Sequence, residues 1–454
     1  MKSLTAAETA DAAGATLAAG SPDTLLSGAV STDSRKLPEG CLFVGLSGPN
    51  FDGSSFAAAA LEAGARAVLV RSWRGPAPEG RAVLTCEDPL LALQKLARWW
   101  RMRLDIPVVG ITGSNGKTST KDFTAAVLSK RFAVSATAGN LNNHIGVPLT
   151  VLATEESHGA AVWEMGMNHA GEIAPLCGIA RPGYGIITNI GTAHIEFLGS
   201  RDAIAEEKGA LARSLPAEGF LFLPARCEYH AYFRERCRAP IIPVGNGRGL
   251  VRAENLATRA DGSDFTLVID GAGEAAVSLP VPGRHMVVNS LLAAAAGWKL
   301  GVPVDDIAAA LSSVRITSGR LRRFTSRGVT VIDDTYNANP ESMAAAIETL
   351  AETPLAGGSR RVIVLGRMGE LGEHAPAAHL ATGELAARRG LTLIAVGEGA
   401  EGIARGAGNA PWFAQADEAA AWLNAQVREG DAVLFKGSRA AAVETVMNKA
   451  FPAN

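Results

Sequence analysis

The sequence predicts an α/β protein of three domains, and three observations carry that prediction. The chain has 454 residues, more than one hydrophobic core usually holds, so two or three domains follow. From "IPVVGIT" onward, short apolar runs alternate with polar or amphipathic helical stretches, the pattern of parallel strands covered by helices on both faces. One of those runs, in "VVGITGSNGKTSTKDF" (Val108 to Phe123), passes through a glycine-rich turn into a helical segment.

The first segment, residues 1–101, carries the strand-like runs "CLFVGL" and "ARAVLV" between Gly, Asp and Pro turns and reads as a mixed α/β domain. The second, residues 102–318, continues with "AAVWEMG", "YGIITNI" and "GFLFLP" and reads as a doubly wound parallel sheet. The stretch "FTLVIDGAGEAAVSLPVPG" interrupts it with a hairpin expected around Asp270 to Gly273, and a helix in "HMVVNSLLAAAAGWKLG" closes it. The third, residues 319–454, resumes the alternation with "GVTVIDD", "RRVIVLG", "LTLIAVG" and "DAVLFKG", a Rossmann-like domain.

Composition narrows the function classes. With 47% of residues apolar, the chain has ample material for packed cores. A formal net charge of −2 gives no electrostatic case for nucleic acid or an anionic membrane as main partner. The five cysteines are odd in number and scattered, without a CxxC pair, which argues against a disulfide framework or thiolate zinc site and for a reducing compartment. The alanine-rich start is interrupted by Glu8 and Asp11, unlike a signal-peptide core, and no apolar run reaches membrane-spanning length. A cytoplasmic monomer without membrane insertion is expected.

Strand, glycine turn and helix form the context of a phosphate loop. Backbone N–H groups of Gly113, Ser114, Asn115, Gly116 and Ser119 can turn toward phosphates, helped by the helix N-terminus. Lys117 neutralises the terminal phosphates, and Thr118 offers a hydroxyl to a magnesium ion. Five residues separate Gly110 from Gly116, one more than in the common GxxxxGK[ST] pattern. A phosphate loop alone does not name a reaction: motors, switches, kinases and ligases all use one.

The variant "TGSNGKT" resembles the loop of the Mur ligase superfamily, and further motifs of that family follow in order. They are "GNLNNHIGVPLTVL" (Gly139 to Leu152), "WEMGMNHAGEI" (Trp163 to Ile173), "TNIGTAHIEFLGS" (Thr188 to Ser200), "DDTYNANPESM" (Asp333 to Met343) and "LFKGSR" (Leu434 to Arg439). At the N-terminus "STDSRKLPEGCLFVGLSGPNFDG" (Ser31 to Gly53) is similar to a uridine-nucleotide domain of the family. The resemblance implies an ATP- and magnesium-dependent ligase that joins a carboxylate to an amine through an acyl phosphate. Its substrates would be UDP-N-acetylmuramoyl-tripeptide and D-alanyl-D-alanine. A relative adding a single amino acid would carry a "DNPR"-type motif, which is absent. Folylpolyglutamate synthase lacks the N-terminal domain. A nucleotide-hydrolysing switch is the rival from another class.

Roles follow residue by residue. Glu164 ends the strand "AAVWE", where a carboxylate can ligate magnesium or stand as a solvated acid. His194 follows "YGIITNI" at a carboxyl end, where open parallel sheets place ligands; the resemblance makes it a metal ligand, while a lone His there can equally be a surface residue. Lys208, beside Glu206 and Glu207, reads from sequence alone as a solvated helix lysine. The resemblance implies that it is carbamylated and binds a second magnesium, which requires an uncharged, partly buried amine. Arg320 resembles the arginine that contacts the γ-phosphate, with Arg322 and Arg323 close by. Asp334 resembles the acid that holds the ribose, or it caps the helix before "NPESM". Asn289 resembles an asparagine that reads adenine, Tyr336, Asn337 and Asn339 face the dipeptide, Ser34 and Arg35 the uracil nucleotide, and Asn142 and Asn143 the pyrophosphate or sugar. Two departures stand out: Met286 replaces a family asparagine, and Arg367 in "GRMGELG" replaces an aspartate.

Overall fold

The computed structural model describes residues 1–48, 52–317 and 319–452. Pro49, Asn50 and Phe51 of the N-terminal motif, Ser318 at the second expected boundary and the last two residues of the chain lie outside the described residues.

Among the described residues, three larger sheets organise the molecule, beside a two-stranded pair of Leu4–Thr5 and Leu25–Leu26. The first orders Thr16–Gly20, Ala82–Thr85, Ala67–Val70, Leu42–Val44 and Val30–Ser31, parallel except for the outer pair at Thr16–Gly20. Successive side chains of a strand point to opposite faces, and here both faces are covered. Leu42, Val44 and Leu69 join one core, while Phe43, Val68 and Val70 join another. That double burial explains why these strands read as continuous apolar runs.

The second sheet has nine strands and holds the phosphate loop. Seven are parallel, with Val108–Thr112 between Ala160–Glu164 on one side and Tyr184–Ile187 on the other. The hairpin strands Ser263–Ile269 and Gly273–Leu279 do not leave the sheet; they extend it as an antiparallel edge. Helix Arg284–Lys299 packs against helix Lys117–Leu128 and buries Val287, Leu291 and Leu292. Each such aliphatic side chain contributes about 1.5–3 kcal/mol on leaving water. Glu164 pairs with Ile111 and Ile187 with Thr112, so three strand ends meet at one carboxyl edge. The strand order reverses around Val108–Thr112, and the crevice outside such a switch point is where open α/β sheets receive ligands.

The third sheet orders Arg322–Ser326, Val329–Asp333, Ala432–Lys436, Arg361–Gly366, Thr392–Val396 and Trp412–Phe413, with only its first pair antiparallel. Ile332, Leu365 and Leu434 fill one face, and Val331, Val364 and Phe435 the other. Among the described residues, no helix is long and apolar enough to cross a membrane.

Candidate active site between the second and third sheets

The phosphate loop begins after Thr112. Gly110, which would lead the common motif, lies inside the strand, and the turning glycines are Gly113 (φ 148°) and Gly116 (φ 77°). Both angles favour glycine, and space forbids a side chain as well. A Cβ on Gly113 would fall 1.8 Å from Thr188 Oγ1, and one on Gly116 2.7 Å from Asn289 Nδ2. The loop is held from the neighbouring strand end. Ser114 N donates to Asn189 O at 3.1 Å, and Asn115 N to Asn189 Oδ1 at 2.8 Å.

Lys117 Nζ donates to Gly113 O at 2.8 Å. Burial pushes its ammonium pKa down, Glu164 partly offsets that, and Arg320 adds to the depression. Thr118 Oγ1 donates to Glu164 Oε2 at 2.9 Å, and Asn142 Nδ2 donates to Glu164 Oε1 at 2.7 Å. Glu164 is only 2% exposed, so the solvated strand-end reading is wrong. The register beside Val108–Thr112 carries it under the loop rather than into water. Arg320 Nη2 reaches Thr118 Oγ1 at 2.9 Å from the third segment, and its guanidinium lies 4.3 Å from the Tyr336 ring centroid, a cation–π contact.

Lys208 is likewise no solvated helix lysine: it is 2% exposed. Its neighbour Glu207 turns inward, accepting from Gly171 N and Ile173 N at 2.7 Å each and satisfying the start of helix Ile173–Ala180. Burial first, then the charge of Lys117, pushes the Lys208 amine well below its ordinary pKa, with Glu207 opposing. Glu206 stays outside, paired with Arg213.

His194 occupies a left-handed backbone (φ 66°) ahead of helix Ile195–Leu198, and Glu370 across the cleft is also left-handed (φ 60°). Such conformations cost free energy for non-glycine residues and persist where the surroundings over-determine them. His194 Nδ1 lies 2.6 Å from Glu370 Oε2, close enough to be ionic but poorly aligned for a hydrogen bond. The imidazole holds the Glu370 carboxyl below its ordinary value.

The cap of helix Pro340–Glu352 is Asn339, not Asp334. Asn339 Oδ1 accepts from Ser342 N at 3.0 Å, and its Nδ2 donates to Asn115 Oδ1 at 2.7 Å. Asp334 instead accepts from Lys436 Nζ at 2.7 Å, a lysine that also donates to Asn337 O. In the same first helical turn Glu341 accepts from Thr192 N and Oγ1 at 2.9 and 3.1 Å. Asn143 Oδ1 accepts from Gly146 N at 2.9 Å at the start of helix Gly146–Leu152. Asn289 Nδ2 faces Met286 Sδ at 3.8 Å, so the methionine is a weak acceptor for the amide beside the loop. His285 is pushed down to about 4, chiefly by burial, with Asp334 raising it and Lys436 lowering it.

A cleft of about 790 Å³ brings together the loop from Ser114 to Ser119 with Asn142, Asn143, Glu164, His194 and Asn289. Arg320, Asp334, Tyr336, Asn337 and Asn339 line it from the third segment. Ser34, Arg35 and Lys208 do not line it. Arg35 is 86% exposed and bonds only its neighbour Asp33, through Nε at 2.8 Å and Nη2 at 2.9 Å. Sequence reasoning missed Asn189, His285, Glu341, Glu370 and Lys436. All five stood in quoted runs, but only the fold shows what they face. Thr118 and Glu164 set a hydroxyl and a carboxylate side by side out of water, oxygen donors of the kind magnesium takes. A carboxylate buried with neutral donors on both oxygens is suited to a cation. Among the described residues, no group of three or more His, Cys, Asp and Glu side chains gathers into a ready-made metal cluster.

Comparison with known proteins places this architecture. Residues 111–297 match the Mur ligase middle domain, 319–439 the Mur ligase glutamate ligase domain, and 28–98 the Mur ligase family catalytic domain. The chain is 38% identical to the UDP-N-acetylmuramoyl-tripeptide–D-alanyl-D-alanine ligase of Escherichia coli, over 92% of each chain. A crystal structure of MurF from Acinetobacter baumannii superposes with a TM-score of 0.91 at 32% identity, covering 99% of both chains. MurF from Thermotoga maritima in complex with ADP gives 0.83 at 28% identity, covering 93% of this chain and 96% of that one. The chain therefore belongs to the Mur ligase family, in its MurF branch.

Proposed function

We propose that the chain is an ATP-dependent ligase that adds D-alanyl-D-alanine to UDP-N-acetylmuramoyl-tripeptide, in the cytoplasm, during synthesis of peptidoglycan precursors. The observation that carries this reading is the meeting of Lys117, Thr118 and Glu164 with Arg320, where two sheets supply one phosphate-facing cluster. In this reading residues 1–101 hold the uridine nucleotide through Ser34 and Arg35, 102–318 hold ATP, and 319–454 close over ATP and dipeptide as a monomer.

A carboxylate that attacks the γ-phosphorus approaches a group already negative, so cations must screen both partners. Lys117 from the second segment and Arg320 from the third would do this, while Gly113, Ser114, Asn115, Gly116 and Ser119 would cradle the phosphates. Thr118, Glu164 and His194 would hold magnesium, and Lys208, if carbamylated, a second ion; the metal would supply charge neutralisation on the phosphate oxygens. Lys208 suits this because burial disfavours its charged form, and carbon dioxide is taken up by the neutral amine. Asn289 and Asp334 position the nucleoside, Asn142 and Asn143 the sugar pyrophosphate, and Tyr336, Asn337 and Asn339 the dipeptide. The tripeptide carboxylate oxygen bonds to the γ-phosphorus as the bond to ADP breaks. The dipeptide α-amine then attacks the acyl carbon, loses a proton and expels phosphate. Closure of the third segment over the second would exclude water that hydrolyses the acyl phosphate.

The test is a reaction mixture of ATP, magnesium and both substrates, read by mass spectrometry of the product and by phosphate release. The expected product is the tripeptide substrate joined to the dipeptide, with release dependent on both. Equal release without either substrate would establish a switch-type hydrolase instead, and a product carrying one amino acid would establish the single-residue ligase.

A further inference from the structure

A second pocket lies at the opposite end of the central sheet from the phosphate loop. Its lining includes Val108, which starts strand Val108–Thr112, and Gly183, just ahead of Tyr184–Ile187. At about 3.3 Å per residue, that first strand sets the pocket about 15 Å from the loop. The pocket holds about 650 Å³, within the range of small-ligand sites. Arg98, Arg101, Arg181, Arg213 and Arg238 line it, and among the described residues no Asp or Glu does. In a chain of formal net charge −2, so one-signed a lining concentrates charge locally.

Two of these arginines serve the fold. Arg101 Nε donates to Ala180 O and its Nη1 to Leu104 O, each at 2.7 Å, closing the end of helix Ile173–Ala180. Arg213 Nη1 pairs with Glu206 Oε1 at 2.9 Å. The other three are not used in this way. Among the described residues, the guanidinia of Arg98 and Arg238 have neither an ion pair nor a hydrogen bond. Arg181 Nη1 reaches only Met102 Sδ at 3.0 Å, a weak acceptor. Arg181 also forms the left-handed cap of helix Ile173–Ala180 (φ 46°), where glycine is the usual residue. Its charge depresses the pKa of Arg101, after burial and against Asp105. Like charges are thus held close, and no carboxylate in the lining neutralises them.

We propose that this pocket binds the diphosphate or triphosphate group of a small ligand, inorganic pyrophosphate or a nucleotide, at Arg98, Arg181 and Arg238. A planar guanidinium takes phosphate oxygens two at a time, and a di- or triphosphate gathers several negative charges in one compact group. A single carboxylate would answer only one of the three free cations. The lining leaves room for the ligand: a Cβ added to Gly178 or Gly183 would meet nothing within 4 Å. No residue lines both this pocket and the cleft at the phosphate loop, so the site stands apart from the ligase reading.

The experiment measures binding of inorganic pyrophosphate, ADP and UDP by calorimetry, at low and high salt. The proteins are the wild type, Lys117→Met, Arg238→Ala and Gly178→Glu. Lys117→Met removes the cation of the phosphate loop. Gly178→Glu puts a carboxylate into open space on helix Ile173–Ala180 and leaves all five arginines in place. A charge-assisted contact of this kind is worth about tenfold to a hundredfold in binding. One equivalent of ligand should bind the wild type and Lys117→Met alike and weaken at high salt. Arg238→Ala and Gly178→Glu should each weaken that equivalent about tenfold or more, with the melting temperature unchanged. If pyrophosphate is the tightest probe there, the free anion is the source; if ADP or UDP is, a nucleotide is. Should no probe bind Lys117→Met, or should both pocket variants bind as the wild type does, the proposal is overturned.

Discussion

The phosphate loop and the Ser34–Arg35 turn are both read as places where a nucleotide is held, yet they are built in opposite ways. At the loop, Thr118, Glu164 and Lys117 are buried or tied to partners, and residues of a different segment reach in to complete the set. At the turn, Arg35 stands in solvent and among the described residues bonds only Asp33, whose carboxyl it lowers to about 2. One site is preorganised by desolvated contacts; the other waits for its ligand to supply them. Preorganisation is what stabilises charge developing during a reaction, whereas ground-state recognition needs only affinity.

That contrast can be broken at either end. The largest effect is expected at Lys117. Lys117→Met keeps the volume and removes a buried charge, so activity should fall by more than about 1,000-fold while the melting temperature holds or rises; steady-state rates and thermal melts check both halves. A melting temperature that fell with activity would mean that the loop cations serve folding. Next in size, Arg35→Ala should raise the KM for the UDP-linked substrate about tenfold and leave the melting temperature unchanged, because an exposed side chain is removed. Titration of the UDP-linked substrate against the variant measures this. The smallest effect concerns acid stability. His285 titrates near 6.5 when unfolded and about 4 when folded, so between those values the unfolded chain binds a proton that the folded chain refuses. Its contribution is present above pH 6.5 and lost as pH falls toward 4. His285→Gln should make the loss of stability between pH 6.5 and pH 4 shallower in denaturant melts.

Much of the fold was legible because its strands are buried on both faces. "VVGIT", "AAVWE" and "AVLFK" are apolar runs bounded by turn residues, and each became a strand. The hairpin was legible from its glycine turn, though not its place as an added edge of the central sheet, since strand pairing is non-local. Thr118 beside Glu164 follows from motif order. Lys208 was opaque because the run Glu206, Glu207, Lys208 looks uniformly solvated. On a helix successive residues point in different directions, and here Glu207 and Lys208 face inward while Glu206 faces water. The partnerships of Glu341 with Thr192 and of Glu370 with His194 link distant positions, and no local pattern encodes them.

Helix Pro340–Glu352 holds the central segment through neighbouring residues of its first turn, Asn339 at Asn115 and Glu341 at Thr192. A rigid rod gripped at its tip acts as a lever. Whatever displaces the Asn115 side chain to admit a phosphate also works against the third sheet's seating. By reciprocity, a ligand that strengthens the seating weakens the hold on the nucleotide by the same factor. Occupancy of the loop and seating of the third sheet are then linked through the Asn339–Asn115 contact.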